Sequence, residues 1–198
     1  MCNIKAFILA LFFLYTNLAW PSFYKIVSID TKTTASIIHI EYPQGFSNEQ
    51  INLKIQAFID KVKKPYFDAV PEEFDPDDKN TIDITFRVKS NNSHVLSIIF
   101  YLKTYMSGGV HPSVSVKTLN FIDGKGVKLE QLFKSKSNYL STISKYCYTN
   151  LLKIHPNDST LEENLEPRKS SYRSWYFNKT GLIIIFEPSQ FQQAPIQK

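Results

Sequence analysis

Cysteine and glycine are scarce in this chain, with two and six among 198 residues. Cys2 precedes the N-terminal apolar run, the wrong side for a lipid-attachment cysteine, and leaves with that run if it is cleaved. Cys147 is then without an intramolecular partner, which excludes a disulfide framework. Leu140, Ile143, Cys147, Leu151 and Ile154 step by three or four, so the thiol falls on the apolar face of a helix and reads as buried and unreactive.

The four histidines, His39, His94, His111 and His155, form no HxH or HExxH pattern, and there is no CxxC, so no metal site is expected. There is no G-x-S-x-G elbow, and the serines fall in turns and caps, where hydroxyls satisfy backbone groups. Glu162, Glu163 and Glu166 read as helical surface charge rather than as a glycosidase pair. The acidic stretch PEEFDPDDKN at 71–80 lacks the glycine and the spaced acid of a calcium loop and reads as an exposed connection. No catalytic residue, cofactor or metal ligand is therefore assigned. Repeats, low-complexity tracts and flexible linkers are also missing.

The formal net charge is +5, lowered by one when Lys5 is removed. The lysines are dispersed apart from Lys61, Lys63 and Lys64, and no basic and aromatic array suggests nucleic acid. A solvated face, or attraction to anionic envelope polymers, are the two readings of this charge.

What is present begins with a leader. Lys5 precedes ten apolar residues at 6–15, too few to span a bilayer, and Ala19 offers a small residue near a cleavage point. Residues 1–22 read as a signal peptide, which predicts an extracytoplasmic protein, periplasmic or secreted, touching membrane only if the signal stays uncleaved. With 43% hydrophobic and 14% aromatic residues, the remainder can bury a sizeable core. We expect one α+β domain over 23–198, with 23–106 and 107–198 as subregions.

The expected fold is an antiparallel sheet with two long helices packed on it. Residues 34–42 alternate as a strand. Ser47 and Gln50 form a capping box for a helix lined by Ile51, Ile55, Phe58 and Val62 and stopped by Pro65. Residues 82–89 alternate cleanly, 95–105 are apolar on both parities as a central strand should be, and 113–121 complete a three-stranded meander. In that last strand the apolar phase switches from Val114 and Val116 to Leu119 and Phe121, which predicts a bulge near Lys117 and Thr118. A second long helix over 137–153, a short acidic helix over 161–168, and strands at 174–177 and 182–186 follow. The last two are expected to join the same sheet, with 182–186 interior.

Four of the six glycines lie within YMSGGVHPSVSVKTLNFIDGKGVKLEQLF at 105–133. Gly108 and Gly109 turn the chain out of one strand and put His111 beside Tyr101, Tyr105 and Met106. This is the candidate ligand-binding group: Tyr101, Tyr105, Gly108, Gly109 and His111. The alternative is that the glycines only make the turn while His111 bonds a neighbouring loop.

The GG-x-H loop, the following strand, the D-G-K turn at 123–125 and the L-x-x-L-F box at 129–133 resemble the extracytoplasmic domain of unknown function in RsiV-type anti-sigma factors and PdaC-type peptidoglycan deacetylases. Trp175 to Phe177, the hairpin Thr180-Gly181-Leu182 and Phe186-Glu187-Pro188 resemble its second signature. The resemblance implies a non-catalytic envelope module that recognises a lysozyme-like protein or a peptidoglycan-like cell-wall glycan. A glycan hydrolase or deacetylase with His111 as acid or base, and a truncated remnant of a longer protein, are the alternatives. The chain differs from the family pattern in having Val110, Pro112 and Ser113 around His111, and in ending without the family's last strand. With four residues before Lys5, no intracellular anti-sigma arm is expected.

Overall fold

The computed structural model describes residues 23–68 and 77–187. The leader, most of the 71–80 connection, Pro188 and the expected absence of a last strand lie outside the described residues. The elements are β1 Lys25–Lys32, β2 Ser36–Gln44, α1 Glu49–Asp68, β3 Asn80–Asn91, β4 Val95–Tyr105, β5 Ser113–Ile122, β6 Lys125–Gly126, α2 Tyr139–Ile154, α3 Leu161–Asn164, β7 Trp175–Asn178 and β8 Gly181–Ile184. Short 3-10 turns occupy Leu129–Leu132 and Lys169–Tyr172.

The α+β class is as expected, and β1 to β6 form one sheet in sequence order. Its neighbours are antiparallel with one exception: β2 and β3 run parallel, Ser36 facing Asn80 and Ile40 facing Ile84. A hairpin cannot join parallel strands, and here α1 makes the crossover. Period-two alternation sends Ile38 and Ile40, Ile82 and Ile84, and Ile98 and Phe100 to one face, where Ile55 and Ile59 of α1 cover them. Each such buried side chain contributes about 1.5–3 kcal/mol relative to exposure. β1, which the sequence reading did not anticipate, adds Val27 and Ile29 at the edge of this core.

Several local expectations are corrected. Asn48, not Ser47, caps α1: its Oδ1 accepts from the Gln50 amide at 3.0 Å. Pro65 lies within the helix rather than ending it. It is exposed, and the last turn is held from outside, by Tyr66 against the core and by the Ser36 hydroxyl donating to the Tyr66 carbonyl at 2.9 Å. The β4 and β5 register runs unbroken from Val95/Ile122 to Thr104/Ser113, so there is no bulge at Lys117 and Thr118; the irregularity is in β3, between Val88 and Ser90. The apolar phase changes along β5 because both faces of the sheet are covered. Leu119 and Phe121 face the α1 core, while Val116, Thr118 and Asn120 face β7.

β7 and β8 do not join the main sheet but form a two-stranded sheet of their own. Residues 182–186 are half-buried rather than interior. α2 is also not packed on the main sheet core. It closes a second core in which Cys147 meets Leu129, Leu161, Leu165, Tyr172 and Trp175. Burial raises the Cys147 thiol above its ordinary pKa, as expected of an inert cysteine.

In an antiparallel ladder alternate residues point their amides and carbonyls away from the partner, so β7 turns one row of backbone groups away from β8. Side chains of the main sheet meet that row. Thr118 Oγ1 accepts from the Trp175 amide at 3.2 Å, Asn120 Nδ2 donates to the Trp175 carbonyl at 2.7 Å, and Ser97 Oγ accepts from the Phe177 amide at 3.0 Å. In return Ser174 Oγ donates to the Val116 carbonyl and the buried Glu187 accepts from the Val116 amide, with Arg173 at 2.7 Å on its other oxygen. Two sheet edges are thus closed by side chains instead of by strands.

Candidate functional site

The loop that leaves β4 is positioned by the strand register. Thr81 pairs with Tyr105, so the residues just before β3 lie beside the end of β4. This brings Asp78 and Asn80 under the 106–112 loop. The Asp78 carboxylate accepts from the Tyr105 hydroxyl at 2.7 Å on one oxygen, and from the Gly108 amide at 2.7 Å and the Ser107 hydroxyl at 3.1 Å on the other. Asn80 is 2% exposed; its Oδ1 accepts from the Ser107 amide at 2.8 Å and its own amide donates to the Ala35 carbonyl.

Donors stabilise the charged form of a carboxylate. The Tyr105 phenol, then the Gly108 amide and the Ser107 hydroxyl, hold Asp78 below its ordinary pKa, and the same bond pushes the Tyr105 hydroxyl up. The two glycines act for different reasons. Gly108 has φ +83°, the left-handed region that other residues resist. Gly109 needs no such angle, but its amide bonds the Met106 carbonyl at 2.9 Å, and a Cβ there would stand 2.9 Å from that oxygen and 3.4 Å from the Tyr105 ring.

Beyond this clamp the tip projects. Val110 is 98% exposed, and His111 is exposed with Nδ1 3.3 Å from the Pro112 carbonyl. No carboxylate pairs with His111 among the described residues. Beside the tip lies an open depression of about 650 Å³ bounded by Lys32, Asp78, Lys103, Tyr105 and His111.

Tyr105, Gly108, Gly109 and His111 therefore sit together, while Tyr101 lies apart. It is further down β4, opposite Thr85 and Val116, with the Arg87 guanidinium 5.9 Å from its ring centre. Sequence reasoning missed Asp78 and Asn80. The acidic run gave no sign that one of its carboxylates is claimed by a loop 30 residues on.

Residues 130–192 match a family model described as a protein of unknown function, DUF3298. That segment holds α2, the small sheet and Glu187, and begins beyond the 106–112 loop. No curated protein matches the chain. Several solved structures share its fold, two of them crystal structures of DUF3298 proteins. A DUF3298 family protein from Pseudomonas aeruginosa PAO1 is similar with a TM-score of 0.53 at 10% identity, over 73% of this chain and 71% of the other. A member of the DUF3298 family from Bacteroides fragilis is similar with a TM-score of 0.51 at 13% identity, over 89% and 96%. At these identities the likeness is one of fold.

Proposed function

We propose that this chain is an extracytoplasmic binding module of the cell envelope, without catalysis, that recognises a protein such as lysozyme through the 106–112 loop. The observation that carries this reading is a loop whose backbone is clamped at Asp78 and Asn80 while Val110 and His111 are exposed. A loop ordered before it binds loses little entropy on binding. Its exposed tip, Val110 and His111, suits a concave partner surface such as the substrate groove of a lysozyme. The N-terminal apolar run and the resemblance to the extracytoplasmic domain of RsiV-type and PdaC-type proteins support the envelope setting. General acid or base work by His111 would call for a partner that tunes and orients the imidazole, and no carboxylate is paired with it among the described residues.

Retention on immobilised lysozyme and on purified peptidoglycan tests the reading. Wild type should be retained on lysozyme, and Val110→Ser combined with His111→Ala should lose most of that retention. Retention on peptidoglycan alone would transfer the recognition to the glycan. Retention on neither would sink the proposal.

A further inference from the structure

A second cavity, of about 670 Å³, opens in the seam between the two cores, where α1, the Ile122 end of β5, the 127–130 turn and the start of α2 meet. Its floor is apolar, built by Phe58, Leu119, Val127 and Leu129. Tyr139 stands at one side, half-buried and fixed by stacking on Phe133 with ring centres 4.7 Å apart and planes 12° apart. Five cations ring this floor: Lys54 and Lys61 from α1, Lys128 from the turn, and Lys169 and Arg173 from the segment before β7.

Glu130 is the one acid in the lining, and it is engaged by Lys169 at 3.4 Å, while Arg173 is engaged by Glu187. Lys54, Lys61 and Lys128 form no ion pair among the described residues. Lys54 and Lys61 are seven residues apart, two helical turns, and so share a face. The Lys54 stem is laid against Gly126, where a Cβ would come within 3.2 Å of its Cδ. Lysines on a convex surface disperse their charge into water; lysines around a concave, low-dielectric wall add their fields within it and concentrate anions there. The volume falls in the ordinary range of small-ligand sites.

We infer that this cleft binds a short stretch of an acidic glycan, with a sugar ring on the apolar floor beside Tyr139 and its carboxylate or phosphate groups on Lys54, Lys61 and Lys128. A nucleic acid strand fits less well, because Phe58 belongs to the floor and Tyr139 alone stands at the side, which does not provide for successive stacked bases. The site is separate from the 106–112 loop and stands or falls independently of the function proposed for it.

The test is titration calorimetry on the chain from residue 23, with trigalacturonate and a short mannose phosphate oligomer as probes and neutral chitotriose as control. One or both acidic probes should bind and chitotriose should not, and whichever binds identifies the anion. Lys54→Gln with Lys61→Gln should weaken binding about tenfold. Lys64→Gln with Lys145→Gln, the same charge change on exposed lysines outside the cleft, should leave it unchanged. No binding of either acidic probe, equal losses in the two double variants, or equal or tighter binding of hexaglutamate or of oligodeoxythymidylate would overturn the assignment. His111→Ala should not affect these titrations, and the Lys54/Lys61 variant should keep its retention on lysozyme, so failure at one site is distinguishable from failure at the other.

Discussion

Replacing Asn120 by Ala should destabilise the protein far more than its position on a sheet edge would suggest. Asn120 is 5% exposed and Ser97 is fully buried. The amide accepts from the Ser97 hydroxyl at 2.7 Å and donates to the Trp175 carbonyl at 2.7 Å, while the Ser97 oxygen accepts from the Phe177 amide. Asn120→Ala removes two hydrogen bonds and leaves a buried hydroxyl and a buried carbonyl short of partners, at about 1–3 kcal/mol each. Allowing for relaxation and entry of water, we expect a loss of about 3 kcal/mol. Ser97→Ala, which keeps the Asn120 bond to Trp175, should cost about 2 kcal/mol by the same reasoning. Because the two side chains form one network, the double variant should fall short of the sum by about 1 kcal/mol. Urea unfolding of the chain from residue 23 reads this directly, since Trp175 is then its only tryptophan. An Asn120→Ala variant within about 0.5 kcal/mol of wild type, or single losses that simply add, would refute the view that these side chains fasten the small sheet to the large one.

Gly109→Val should cost about 1–3 kcal/mol in a thermal or urea melt through the clash with the Met106 carbonyl, whereas His111→Ala should stay within about 0.5 kcal/mol, its side chain being exposed; the reverse order would make His111 a structural bridge. The Asp78 carboxyl is depressed below 3.8 in the folded protein, so the stability it confers on the loop is present above that value and lost as pH falls through the lower folded value. The Gly108 amide resonance should follow that titration, with a midpoint under 3.8, and Asp78→Asn should abolish it. Cys147 should react with an aromatic disulfide reagent about a hundredfold more slowly in the native protein than in urea; equal rates would place the thiol at the surface.

The loop and the cleft pose different recognition problems. The loop has an exposed tip and is held by hydrogen bonds to two side chains from before and within β3. The cleft is concave and supplies its own charge.

Local periodicity was enough to determine much of the fold. The alternation in β3, the double-sided apolar character of β4, the three-and-four spacing in α1 and α2, and the burial of Cys147 are all consequences of a side chain's position on its own element. The two glycines of the loop were legible for the same reason, since the turn they make is local. Periodicity reports that a face is buried and does not report against what. The switch of phase in β5 therefore read as a bulge, although the strand is regular and merely covered on both sides, by α1 and by β7. Pro65 read as a stop because its missing amide is a local fact, while the Ser36 hydroxyl that bonds the next carbonyl, that of Tyr66, lies 30 residues from it. Asp78 holds Gly108 across a similar gap, and Ser97 meets Phe177 across 80 residues. The cations of the cleft come from three separate segments. Their meeting depends on strand pairing and on the docking of the second core, which are long-range hydrogen bonding and packing that no spacing along the chain encodes.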